Sequence, residues 1–266
     1  RRGFAQSVFQ VGGNLGGSFG PLLMALLVAP YGRHNIAYFA IVAFVAILVM
    51  IPVCRWYKAY LRRVKWRPAN AVRHAPMPLP HGRTFFAIAI LLTLIFSKYI
   101  YMASLSSYYT FYLMHKFGVS VQQSQIFLFV FLLATAAGTL MGGPIGDRIG
   151  RKYVIWMSIL GTAPFSILMP HVSLAWTVVL SFCVGFMLSS AFPAILLYAQ
   201  ELLPNKLGLI SGLFFGFAFG IAGIASAVLG DMADHYGIEA VYNICAYMPL
   251  LGLVTWFLPD LKKVPR

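Results

Sequence analysis

Apolar side chains run along this chain in eight long stretches, at about 5–29, 35–54, 84–114, 120–142, 153–170, 172–200, 206–231 and 238–258. Continuous runs of roughly 18 or more apolar residues are long enough to cross a bilayer as α-helices. Barrel strands are shorter and alternate in character, and only helices and closed barrels satisfy their backbone polar groups in hydrocarbon. The pattern predicts an all-α membrane protein with eight transmembrane helices. Composition points the same way. Of 266 residues, 60% are hydrophobic and 10% charged, against about a quarter charged in soluble domains. So little charge cannot cover a globule with polar surface.

The placement of Lys and Arg orients the spans. Let the spans alternate from the N-terminus. Of the 20 basic residues, only Arg33 and Lys116 then fall on the far side, and only Lys98 lies within a span. The basic side, which carries both ends of this fragment, is predicted to be cytoplasmic. The net charge of +14 therefore reads as a topology signal. No zinc-finger or RNP-like spacing supports nucleic-acid binding. The segment at 56–83 is rich in Lys, Arg and Pro and lacks acidic residues, which predicts a cytoplasmic linker that anionic headgroups attract. The chain opens Arg1-Arg2-Gly3 without Met, as a fragment or processed piece would. Cys54, Cys183 and Cys245 are far apart, with no CxxC, and read as buried small hydrophobes.

Residues 1–54 can be laid on 206–259 without gaps. Gly3 then meets Gly208, Phe9 meets Phe214, and Tyr31-Gly32 meets Tyr236-Gly237. Both copies enter from the cytoplasmic side, so the repeat is parallel. Gly12, Gly16 and Gly20 in the first copy, and Gly208, Gly212, Gly216 and Gly220 in the second, recur every fourth residue. Small residues so spaced share a helix face and let backbones approach; packing is preferred here over ligand contact. Parallel six-helix halves build one large transporter fold. On that scheme residues 1–55 are the last two helices of an N-terminal bundle and 84–266 a complete six-helix C-terminal bundle. Four earlier spans, roughly 120–140 residues, would precede residue 1.

The fourth and fifth spans are joined by Gly143-Pro144-Ile145-Gly146-Asp147-Arg148-Ile149-Gly150-Arg151-Lys152. This resembles the cytoplasmic signature of the major facilitator superfamily, G-x-x-x-D-R-x-G-R-[RK], with Gly143, Asp147, Arg148, Gly150, Arg151 and Lys152 at every fixed position. A plain positive-inside turn would require Arg and Lys but not this Gly and Asp spacing. The resemblance implies a twelve-helix fold and a charged latch that opens and closes during alternating access. Gly16, Gly20 and Pro21 resemble part of the glycine-proline motif of proton-coupled antiporters in the superfamily, although Ser7 and Met24-Ala25 stand where further glycines are expected. Ile95 through Tyr99, Ser106 through Tyr112, Tyr198 through Pro204 and Ser211 through Gly220 are similar to a bacterial efflux branch that exports a phosphonate antibiotic. That branch implies the bacterial inner membrane, exchange for protons, no cofactor beyond the proton gradient, and a monomer whose partners are a small molecule and the bilayer.

Lys98 is the leading candidate for substrate contact. A Lys at the bilayer centre costs about 2.5–3.5 kcal/mol. It persists facing a bound anion (the preferred reading), an acid in the missing spans, or the interface by snorkelling. Tyr101 and Tyr108 follow it on one helix face and are candidates to line the same site; their alternative is packing and aromatic belting. Asn14, Ser190, Gln10 and Ser189 are polar groups within spans, read first as interhelical hydrogen bonds, with Asn14 and Ser190 carried as candidate contacts. Pro164 and Pro193 predict breaks in the fifth and sixth spans. No carboxylate lies mid-span, so a proton carrier is expected in the missing spans. The leading expectation is proton-coupled efflux of a small anionic drug. An importer or uniporter of the same fold is the alternative. A membrane-embedded enzyme is distant, because all six histidines fall in loops or at span ends and no metal-ligand spacing occurs.

Overall fold

A computed structural model describes residues 2–32, 37, 39–64 and 80–259. Among these, eight helical stretches are long and apolar enough to cross a membrane: Gly3–Val28, Ala40–Arg63, Gly82–Phe117, Val121–Ile149, Arg151–His171, Leu174–Leu202, Pro204–Tyr236 and Ile238–Phe257. They coincide in order with the eight apolar runs.

The first span is α1 (Arg2–Leu23), which passes through a π-helical turn at Met24–Val28 into α2 (Ala29–Tyr31). Pro21 lies near the end of α1. It has no N–H to donate, and its ring crowds the preceding turn, so regular α-geometry is weakened just ahead of the π turn. The second span is α3 (Phe39–Val64). It runs ten residues past the expected end of its apolar stretch, carrying Arg55, Lys58, Arg62 and Arg63 as helix. The basic linker is correspondingly shorter than expected, because no proline lies between Arg55 and Pro68 and the next helix already starts at His81. Residues 65–79 of that linker lie outside the described residues.

The third span, α4 (His81–Phe117), has 37 residues, about 55 Å at 1.5 Å per residue, and so reaches beyond the hydrocarbon. It ends at Gly118, whose φ of 65 and N–H bond to the Met114 carbonyl form a left-handed cap. Ser120 and Gln123 then form a reciprocal capping box that starts α5 (Val121–Ile149). The fifth span is broken. It comprises α6 (Arg151–Ile159), a 3₁₀ turn at Leu160–Thr162, and α7 (Ala163–Leu168), which holds Pro164 in its first turn. The sixth is α8 (Leu174–Ser189) and α9 (Ala191–Leu202), separated at Ser190 with Pro193 just beyond. Both proline breaks fall where the sequence places them. α10 (Leu207–Tyr236) and α11 (Ile238–Cys245) follow, the last leading into a 3₁₀ segment at Met248–Phe257.

The core lies where α4, α5, α8, α9 and α11 converge, with Tyr101, Tyr109, Tyr112, Tyr198, Tyr242 and Phe131 among its fully buried side chains. Tyr112 stacks on Tyr242 at 4.1 Å. The tyrosine hydroxyls are carried into this apolar interior by local bonds, from Tyr109 to Ser181 and from Tyr242 to the Ser104 carbonyl. α1 lies along α5. By contrast, every described side chain of α3 is exposed. This accounts for the cysteines, of which only Cys245 is buried: Cys183 is half-buried, and Cys54 is exposed because it sits on α3.

The glycines behave differently from the expectation. A Cβ built on Gly12, Gly16, Gly20, Gly208, Gly212, Gly216 or Gly220 meets no atom within 4 Å, so no described backbone approaches either stripe. Close approaches of α5 to α8 and Ser190 are instead at Gly138 and Gly142. A Cβ on Gly138 would collide with the Phe186 carbonyl, and one on Gly142 would sit 2.5 Å from the Ser190 carbonyl oxygen. Overpacking costs about 1–3 kcal/mol where side chains can shift, and here backbone opposes it. Gly138→Val is therefore expected to lower the melting temperature of the full-length protein in detergent by several degrees, at about 2–4 °C per kcal/mol. An unchanged melting temperature would show that glycine does not set the α5–α8 distance.

The two repeat copies share one backbone turn. Gly32 has φ 93 and ψ 163, and Gly237 has φ 86 and ψ 152. Each donates its N–H over 2.9 Å to the residue four back, Val28 or Ala233. These pairs are themselves matched by the repeat. Positive φ of this size is a glycine conformation.

Candidate functional site

Lys98 projects from the middle of α4 and is 4% exposed. Its ammonium lies 5.1 Å from the centroid of Tyr99 and 5.2 Å from that of Phe192, the second residue of α9. It makes no hydrogen bond or ion pair among the described residues. The five described carboxylates lie elsewhere: Asp147 and Glu201 near one end of the bundle, and Asp231, Asp234 and Glu239 near the other. Ring faces attract a cation by their quadrupole, but they leave the three ammonium donors unused. A buried, unspent donor set is suited to receiving an anion.

The other sequence candidates do not gather around this ammonium. Tyr101 points into the tyrosine core, with its buried hydroxyl near Ser166 but in no well-formed hydrogen bond among the described residues. Tyr108 donates to the Ser226 carbonyl at 2.5 Å and so ties α4 to α10. The helical spacing that unites these residues with Lys98 spans a broad face, and three different helices pack against it. Asn14 donates to Thr139 at 2.8 Å, joining α1 to α5. Ser190 bonds to Ser158 and to the Met187 carbonyl. Both follow the interhelical reading. Gln10 and Ser189 keep buried polar atoms without partners. Sequence reasoning missed Phe192. It is an apolar residue in an apolar run, and nothing short of the fold sets it against Lys98.

The signature loop forms the second candidate site, at the end of the bundle where α5 passes into α6. The Gly3 N–H, in the first turn of α1, donates to both Asp147 oxygens at 3.3 and 3.1 Å. A carboxylate at a helix N-terminus also complements the helix dipole. Arg151 approaches Asp147 at 3.7 Å, donates to the Leu197 carbonyl at 3.2 Å and pairs with Glu201. One guanidinium thereby links α1's cap, α6 and α9 through its fork of donors. Gly143 donates to Ser7 at 2.9 Å, and a Cβ there would strike the Gly3 carbonyl and Ser7 Oγ. Gly150 turns the chain at φ 122. Lys152 donates to the Trp256 carbonyl at 3.3 Å, and Arg148 is exposed. The fixed positions of the signature thus divide into a close approach, a cap, a turn and a charge bridge. The sequence points to these residues but not to their partners Gly3, Ser7, Leu197 and Glu201, which come from distant segments.

Gly16 and Gly20 lie on the open side of α1, and Pro21 is half-buried. They contribute no described contact to either site.

Residues 90–266 match the family Major Facilitator Superfamily. The chain is 60% identical to the fosmidomycin resistance protein of Escherichia coli K12, over 98% of this chain and 63% of that protein. It is 36% identical to the uncharacterized MFS-type transporter YfnC of Bacillus subtilis, over 99% of this chain and 64% of that one. The gallate transporter of Pseudomonas putida is 29% identical over 48% of this chain. The chain thus spans a little under two thirds of the length of the first two relatives. With eight membrane-length helices, a complete signature loop, and a family match that takes in everything from the first third of α4 onward, this chain belongs to the Major Facilitator Superfamily.

Proposed function

We propose that this chain is the substrate-binding and latch-bearing part of a secondary transporter that exports a small anionic antibiotic of the fosmidomycin type across the bacterial inner membrane. The single observation that carries this reading is Lys98, a buried mid-span cation held by rings and matched by no described carboxylate. A phosphonate supplies the missing negative charge. The name of the 60% identical relative, fosmidomycin resistance protein, supports that substrate. The Asp147–Arg151–Glu201 cluster supports alternating access, because it fastens α1 to α5 and α9 with contacts that separate without unfolding any helix. Coupling to protons, with no other cofactor and with the protein acting as a monomer, completes the proposal. Both ends of the chain would lie in the cytoplasm.

The test is uptake of labelled fosmidomycin into inverted vesicles carrying the full-length protein. An imposed proton gradient should drive accumulation, and an uncoupler should abolish it. Accumulation that ignores the gradient would replace antiport by uniport. Absence of any protein-dependent uptake would overturn the substrate assignment.

A further inference from the structure

Lys98 is one end of a ladder of aromatic rings drawn from three helices. Tyr99 on α4 meets Phe192 on α9 edge-to-face at 5.6 Å, and Phe192 meets Phe215 on α10 at 5.2 Å, again near edge-to-face. Phe215 continues to Phe219 one turn on, at 6.3 Å and 17°. Exposure rises from Phe192 outward along α10. Phe192 is buried, Tyr99 and Phe215 are half-buried, and Phe219 is 66% exposed. Phe219 lies next to Gly220 on the flank of α10 where no described atom approaches Gly212, Gly216 or Gly220. The rings therefore step from an open flank to a buried ammonium that has no acid and no hydrogen-bond acceptor among the described residues.

A core built only for packing needs no charge at its inner end, since burying an unpaired ammonium is costly. A cation lodged against ring faces instead fits a ligand that brings both an anionic group and a flat apolar body. The anion takes the ammonium donors, and the body takes the place of water on the rings. We propose that Tyr99, Phe192 and Phe215 form an apolar subsite beside Lys98, so that the preferred substrates are anions carrying an aromatic or comparably flat hydrophobic group. This rests on the reading of Lys98 as the anion-binding residue.

The test compares phenylphosphonate with methylphosphonate as competitors of labelled fosmidomycin uptake in inverted vesicles. The full-length protein is used, at a pH below the second ionisation of both compounds so that their charges match. Phenylphosphonate should compete about tenfold more strongly, the equivalent of about 1.4 kcal/mol. Phe215→Leu should reduce that ratio to about threefold or less while methylphosphonate competes as before, whereas Phe192→Leu, which also removes a ring that holds Lys98, should weaken both competitors. Phe215, being half-buried, is the variant less apt to disturb folding, and membrane abundance of both is measured. Equal competition by the two phosphonates in the wild type would overturn the subsite. So would an undiminished ratio in the Phe215→Leu variant at normal abundance. Either result leaves the anion site standing if methylphosphonate still competes in the wild type and Lys98→Ala abolishes fosmidomycin uptake at normal abundance. Fosmidomycin uptake that survives Lys98→Ala and is still blocked by methylphosphonate would instead overturn the Lys98 reading itself.

Discussion

Lys98→Ala is expected to abolish fosmidomycin resistance in cells expressing the full-length protein, with its abundance in the membrane unchanged. The two halves of that statement have separate physical grounds. Lys98 holds no ion pair or hydrogen bond among the described residues, so its removal orphans no partner. It also relieves the cost of a charge in the bilayer, about 2.5–3.5 kcal/mol on insertion scales. Stability and insertion should therefore be preserved. A bound anion loses a charge-assisted contact worth about 1.5–3 kcal/mol, which is roughly a 10- to 150-fold loss of affinity. Drug susceptibility read beside quantitative immunoblotting of membranes separates the two effects. Full resistance at normal abundance would remove Lys98 from the site.

Gly143→Val is expected to be as damaging, by an unrelated route. The valine Cβ would occupy the space of the Gly3 carbonyl and Ser7 Oγ, so α1 and α5 could not close at the end where Asp147 caps α1. The obstacle is α1's backbone, which cannot move aside as a long side chain would. Transport should fall to background. Ser7, fully buried in the closed seam, should become reachable from the cytoplasm. In a background with Cys54, Cys183 and Cys245 replaced by Ser, Ser7→Cys should react severalfold faster with an impermeant maleimide when Gly143→Val is also present. Gly146→Ala is the control. Its Cβ meets only Arg151 and Val154 at 3.9 Å, an ordinary contact, and transport should stay within about twofold. Normal transport by Gly143→Val would mean that the seam never closes during the cycle.

The membrane architecture was legible because its signals are long and one-dimensional. Span length and proline placement each act along the chain, and both appear in the eight described spans. The end of α3 was misjudged because hydropathy falls at Arg55 while helix propensity does not. At the latch, the sequence supplied the residues but not their neighbours. Gly143 and Asp147 are recognisable by spacing, whereas Gly3 and Ser7 acquire meaning only when α1 lies along α5. The glycine stripes on α1 and α10 drew notice by their regularity, yet the tight helix contact belongs to Gly138 and Gly142. Their four-residue spacing was equally visible in the sequence and was passed over. Around Lys98, a single helical face was too coarse a guide, since α4 is wrapped by α9, α10 and α11 and neighbouring side chains on that face part company. Phe192 carried no local signal at all.

The paired turns at Gly32 and Gly237 bear on how the two copies can differ so widely in sequence and still correspond. Their likeness is stored in dihedral angles and in one backbone hydrogen bond, neither of which depends on a side chain. The helix that leads into each turn is then free to change its side chains while the turn itself stays the same. Ancestry in such a protein is better sought by comparing φ and ψ along the two copies than by counting identities, and the residues that preserve it are those with no side chain to mutate.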